Sequence, residues 1–178
     1  TILTSKDKDD YAYDFDSAFE SYLDNATGFI LYLRYNNEIV ATYAAKKLGL
    51  NTFLESMRLK YPGNYDTIDD FSGQSAYSSC QWVSKEHRGK KWGRVLDHLK
   101  KHICFDLMKC DTNYAIHKSD LRDYHVNHLA YSNNKRLAVI PNGDVGGAGE
   151  VIDKEYWIAY SSNTEWADKQ SEVKTLYA

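Results

Sequence analysis

The sequence predicts an α/β (α+β) domain, and three observations carry that expectation. A strand, a basic glycine-punctuated loop and a long helix follow one another directly between Ser75 and Leu107. Two apolar-rich segments flank Asn36-Asn37 in the manner of a β-hairpin. Strand-like and helix-like stretches then alternate as far as Ser161. With 178 residues, 43% of them hydrophobic, and two prolines, the chain suits one domain over 1–178 with a sizeable core.

Each element has its own signal. Asp14 to Asn25 places Phe15, Ala18, Phe19 and Tyr22 on one face and stops at the polar Asn25-Ala-Thr before Gly28, so a short helix is expected. Gly28 to Tyr35 and Glu38 to Lys46 read as paired strands, because asparagine tolerates the positive φ of a two-residue turn. Between Leu48 and Gln74 a helix is expected at Thr52 to Leu59, followed by the polar loop Tyr61 to Asp70. Ser75 to Ser84, rich in aromatic and small residues, is a strand. Trp92, Val95, Leu96, Leu99, Ile103 and Leu107 recur at three- and four-residue steps, with Arg94, Asp97, Lys100 and Lys101 between them. That spacing predicts a helix burying its apolar stripe. Thr112 to His117 is a strand, Ser119 to Tyr131 a helix, Arg136 to Ile140 a strand stopped by Pro141, and Glu155 to Ser161 a final strand.

The chemistry concentrates at Val83-Ser-Lys-Glu-His-Arg-Gly-Lys-Lys-Trp-Gly93. A strand turning through such a loop into a helix leaves unpaired backbone N–H groups at the positive end of the helix dipole, an arrangement that suits a pyrophosphate. These residues resemble the GNAT superfamily of N-acetyltransferases, whose signature is a strand ending in Val, a turn, and Arg/Gln-x-x-Gly-x-Gly/Ala opening a helix. Val83, Arg88, Gly89 and Gly93 match that pattern, and Lys91 stands where the family usually has glycine. A lysine there is able to neutralise phosphate directly.

The resemblance implies a central mixed, mostly antiparallel sheet, splayed at the cofactor strand, with helices on both faces. It makes about 49–74 an insertion of the kind that borders an acceptor site. It implies acetyl-CoA, or another acyl-CoA, as co-substrate. The expected contacts are Gln81, Trp82 and Val83 on the strand, with Arg88, Gly89, Lys90, Lys91, Trp92, Gly93 and Arg94 at the cradle. A backbone N–H near Val83 is the expected oxyanion donor, and the acyl group passes directly to an amine in a ternary complex. Tyr131 is the expected general acid for the leaving thiolate, although the family's Asn-x-x-Ala spacing before it is imperfect. For the base, Glu86 and His87 lie in the turn, while Asp69 and Asp70, or His125 and His128, would act through water.

Acidic residues at Asp7, Asp9, Asp10, Asp66, Asp69 and Asp70 favour a cationic amine acceptor or form a solvated surface. Fifteen tyrosines and four tryptophans offer stacking surfaces for a base or sugar instead. A GNAT-like binding module without catalysis is the alternative, consistent with Lys91 and the missing base. A nucleic-acid-binding protein centred on Lys85 to Arg94 is another, but a net charge of −3 and pI near 6 do not favour it.

Cys80, Cys104 and Cys110 have no paired metal spacing, so no metal is expected, and they read as reduced thiols of a cytoplasmic protein without a membrane segment. A catalytic role for Cys80 would need a histidine that no motif places beside it. Gly143 to Gly149 follows a strand, yet Val151 to Trp157 is too strand-like for the helix of a nucleotide loop, so a flexible connection is expected. The chain begins at Thr1 rather than Met, as a processed or trimmed protein would.

Overall fold

The computed structural model describes residues 28–141 and 153–174. The helix expected at 14–25 and the glycine-rich connection at 143–149 lie outside them. Strands β1 (Gly28–Tyr35) and β2 (Glu38–Lys47) form the expected hairpin, with Asn36 at φ 49° and Asn37 at φ 66° in its turn. Helix α1 (Leu50–Lys60) and the two-residue strand β3 (Asn64–Tyr65) fill the insertion. Then come β4 (Ser75–Val83), α2 (Trp92–His102), β5 (Thr112–Lys118), α3 (Arg122–Asn127), β6 (Asn133–Ile140), β7 (Lys154–Ser162) and α4 (Asn163–Lys174). One seven-stranded sheet runs in the order β1-β2-β4-β5-β7-β6-β3. Only the β4–β5 pair is parallel; the other neighbours are antiparallel.

Helices cover both faces. On one, α1 buries Leu50, Phe53, Leu54 and Met57 against Tyr114, Leu137, Tyr156 and Ile158. Its rings continue across the sheet, with Phe53 against Tyr77 at 4.6 Å between centroids and Phe71 against Tyr160 at 5.0 Å. On the other face α2 packs Leu96 against Ala41 and Tyr43, and Leu129 and Tyr131 cover Ala115 and Ala159. From α4, Trp166 stacks on His98 of α2.

Two expectations are corrected. The buried residues of α2 are Gly93, Leu96, Asp97, His98, Lys100 and Lys101, whereas Val95 and Leu99 are exposed, as is Leu107 in the π-turn Ile103–Leu107 that extends the helix. The charges tolerate burial because they pair with one another: Lys100 Nζ lies 2.8 Å and Lys101 Nζ 3.0 Å from the two oxygens of Asp97. Second, the helix after β5 ends at Asn127 rather than Tyr131. Ala130, at φ 52°, turns the chain inward, and Tyr131 drops into the core ahead of β6. The helix α4 after β7 carried no expectation.

Candidate functional site

The sheet opens into a fork between its two parallel strands. Pairing of β4 with β5 is confined to Ser75–Ser78 against Thr112–Ala115. From Ser79 to Val83, β4 remains paired with β2 alone, and from Ile116 to Lys118, β5 remains paired with β7 alone. On its β2 side, Ser79 opposes Ala44 and Trp82 opposes Thr42, so Cys80 and Gln81 together face Tyr43 in a β-bulge. The bulge bends β4 away where the fork begins.

Asn113 fixes the crotch of the fork. Its amide nitrogen donates to Ala76 O at 3.0 Å and to Ser78 Oγ at 2.8 Å, and its Oδ1 accepts from Lys100 Nζ at 2.9 Å. Lys100 Nζ also donates to Tyr131 Oη at 2.9 Å, and Lys101 Nζ donates to Leu129 O while lying 3.8 Å from the centre of the Tyr131 ring. A wholly buried ionic network thus clamps α2 to the base of the fork. Burial would raise the Asp97 carboxyl, but Lys100 and Lys101 overcome it and hold it down to about 2. Burial would likewise lower Lys100, yet Asp97 keeps it raised. For Lys101 burial prevails over Asp97 and, with Lys100 repelling, lowers it to about 7.

The cradle opens beside the fork. Lys91 is the N-cap of α2, at φ 61°, with no side-chain hydrogen bond closing the helix start. The amides of Gly89, Lys91, Trp92 and Gly93 have no partner among the described residues. Gly89, at φ 83°, has open space around it. Arg88, Lys90 and Lys91 are exposed. Arg88 Nε donates to Val83 O at 3.3 Å, and Lys90 Nζ sits over the rings of Trp92 (5.4 Å) and Tyr35 (5.8 Å), on the side of the cradle away from the fork. Gly93 is the close-packing point. A Cβ there would lie 3.1 Å from Gln81 Nε2, 3.4 Å from Val83 Cγ2 and 3.5 Å from Tyr124 Oη.

Tyr124, on which the sequence placed no expectation, lies beside the cradle. Carried by α3, it is 37% exposed, its hydroxyl faces Gly93, and the Gln81 side chain is its hydrogen-bond partner. Burial and the Asp97 charge raise its phenol, and Gln81 and Arg94 only partly oppose them. Tyr131, by contrast, is fully buried, with its hydroxyl held by Lys100 and Asn113. Glu86 is exposed in the turn Lys85–His87, His87 Nδ1 contacts Ser84 Oγ, and Arg94 contacts His128 Nδ1. In the insertion Asp66 accepts from Arg136 Nε at 2.7 Å and Nη2 at 3.0 Å, and Asp70 holds Asn51 and its neighbouring amide. Cys104 and Cys110 are buried free thiols, both raised by burial. Among the described residues no group of three metal-ligating side chains forms, and no helix is long and apolar enough to cross a membrane.

No protein-family model and no curated protein matches the chain. Solved structures do match. A CoA-dependent acyl-homoserine lactone synthase, BjaI, solved with SAM and isopentyl-CoA, gives a TM-score of 0.57 at 13% identity over 86% of this chain and 67% of its own. RimJ from Mycobacterium smegmatis, in complex with CoA-disulfide, gives 0.54 at 9% over 89% and 66%. A chimera of spermidine N-acetyltransferase SpeG from Vibrio cholerae and hSSAT gives 0.51 at 12% over 94% and 87%. With its forked, mostly antiparallel sheet covered by helices on both faces, the chain has the GNAT fold of these structures.

Proposed function

We propose that the protein is an N-acyltransferase that carries an acyl group from acyl-CoA, acetyl-CoA foremost, to an amine acceptor by direct attack in a ternary complex. The observation that carries this reading is the fork beside an uncapped helix start. Free amides at Gly89, Lys91, Trp92 and Gly93 suit a diphosphate, with Lys91, Arg88 and Arg94 supplying charge. Beyond Ser78 β4 no longer pairs with β5, and that side of the strand offers backbone groups to the amides of a pantetheine arm. A backbone N–H of the bulge is the oxyanion donor.

For the general acid the reading moves from Tyr131 to Tyr124. An acid must reach the leaving sulfur, and Tyr131 has its hydroxyl committed inside the ionic network. Tyr124 stands between Gln81 and Gly93 with a raised phenol, protonated at neutral pH and able to donate. A cationic amine remains the favoured acceptor, consistent with the spermidine N-acetyltransferases that share the fold. Of the acidic residues in the insertion, Asp66 is already neutralised by Arg136, so Asp69 and Asp70 are the candidates there.

Acetyl-CoA binding, read as a rise in melting temperature, together with thiol release on adding a panel of amines, tests the proposal. Tyr124→Phe is expected to lower kcat about 100-fold while leaving the thermal shift with acetyl-CoA intact. Tyr131→Phe is expected to act on stability instead. Binding without transfer to any amine would favour the alternative of a non-catalytic acyl-CoA-binding module, which Lys91 in place of glycine supports. A soluble, folded protein showing neither response would end both.

A further inference from the structure

The fork is closed on both faces at its crotch. Ser78 of β4 and Ala115 of β5 are the last paired residues, and the next steps outward are Ser79 and Ile116. Because side chains alternate along a strand, Ser79 shares a face with Tyr77, and Ile116 shares that face with Tyr114. On this face the Tyr77 ring lies 4.6 Å from that of Phe53 and 5.4 Å from that of Tyr114, and Ile116 packs against the same core. On the opposite face Asn113, wholly buried, ties Ala76 O and Ser78 Oγ of β4 to its own strand and is itself held by Lys100. A wall of rings stands on one side and a hydrogen-bonded ionic network on the other, and neither gives way to a hydrocarbon chain.

The bulge fixes where a thioester stops. Cys80 and Gln81 share Tyr43 as their partner, so an oxyanion donor at Cys80 lies two residues, or about 7 Å, short of the crotch at Ser78. Carbon atoms in contact take about 3.5–4 Å of that distance. What remains is about 3 Å, room for a methyl about 1.5 Å beyond the carbonyl carbon and for one more carbon, but not for a longer chain. We infer that this closed end is an acyl-binding pocket that takes two- and three-carbon acyl groups, with Tyr77 as its end wall and the Asn113–Ser78 hydrogen bond as its floor; it rests on the acyl-CoA reading of the fork above. Ser79 borders the same space from the strand, and its small side chain leaves the room that Tyr77 bounds.

The full-length chain is assayed with acetyl-, propionyl-, butyryl- and hexanoyl-CoA, by thiol release with spermidine as acceptor and by the rise in melting temperature without it. Wild type is expected to use acetyl- and propionyl-CoA within about tenfold of each other and hexanoyl-CoA about 100-fold less well in kcat/KM, with the thermal shift falling in the same order. Equal use of all four would overturn the inference. Tyr77→Ala is expected to raise the hexanoyl-to-acetyl ratio about tenfold, whereas Tyr77→Phe, which keeps the ring, should hold the wild-type ratio. A loss shared equally by all four in Tyr77→Ala would make the ring a packing residue only and remove the pocket. Should that variant not fold, Ser79→Val decides: filling the space from the strand is expected to lower the propionyl-to-acetyl ratio about tenfold, and an unchanged ratio rejects the pocket. A protein that binds the series in the expected order without releasing thiol keeps the pocket and fails the transfer reading. One that shows no thermal shift with any acyl-CoA fails both.

Discussion

The two ends of α2 use charge in opposite ways. At its start Lys91 and the neighbouring Arg88 and Lys90 face solvent around free backbone amides, so their charge is available to a ligand. Two to three turns further on, Asp97, Lys100 and Lys101 are wholly buried and spend their charge on one another, Asn113 and Tyr131. Exposed cations in water are worth little to the fold. A buried ion whose partner is removed is worth a great deal against it. One helix therefore presents a binding end that tolerates change and an anchoring middle that does not.

The comparison breaks most visibly at Asp97. Asp97→Ala leaves the buried Lys100 ammonium without its carboxylate, with Lys101 beside it, and is expected to cost about 3–5 kcal/mol in urea denaturation, enough to unfold much of a marginally stable domain. Lys101→Met leaves the Asp97–Lys100 pair balanced and is expected to stay within about 2 kcal/mol of wild type. Its signature is in the pH dependence. Because Lys101 is lowered to about 7 from 10.5, the unfolded chain binds the extra proton between those values, and wild-type stability rises with pH across that window. In Lys101→Met that rise should be absent. A rise that persists in the variant would place the ionisation elsewhere.

In acid the buried histidines act next. His98 is lowered from 6.5 to about 4 and His125 to about 3, both chiefly by burial, and His117 is lowered as well. The unfolded chain binds protons there that the folded one refuses, so thermal stability should fall progressively as pH drops below 6.5. Asp97, held to about 2, gives way last. At the exposed end the smallest effect is expected. Lys91→Gly relieves a left-handed conformation worth about 1–2 kcal/mol, set against the greater entropy of an unfolded glycine. The melting temperature should hold or rise slightly while coenzyme A binding, followed by calorimetry, weakens less than about tenfold. A large loss of stability would contradict the contrast between the two ends.

Much of this was legible beforehand because it is local. Asn36-Asn37 fixed the hairpin through two positive φ angles, and Val83 to Gly93 announced strand, loop and helix start. The buried face of α2 was not. Val95 and Leu99 share a spacing as regular as that of Gly93, Leu96 and Lys100, and periodicity alone ranks the more apolar stripe as the core. Burial of the polar stripe depends on Asn113, Tyr131 and the Leu129 carbonyl, which reach it from β5 and the segment before β6. The positive φ of Ala130 likewise accompanies the turn of Tyr131 into the core.

The sequence alone determined the kinds and order of most described elements and the chemistry of the cradle, because backbone propensity, turn residues and glycine positions act within a few residues of themselves. Tertiary structure decided how far β4 and β5 stay paired, which charges are buried, and which tyrosine stands beside the cradle. Those outcomes depend on partners distant along the chain, whose hydrogen bonds set whether a polar side chain is stable inside or must remain in water.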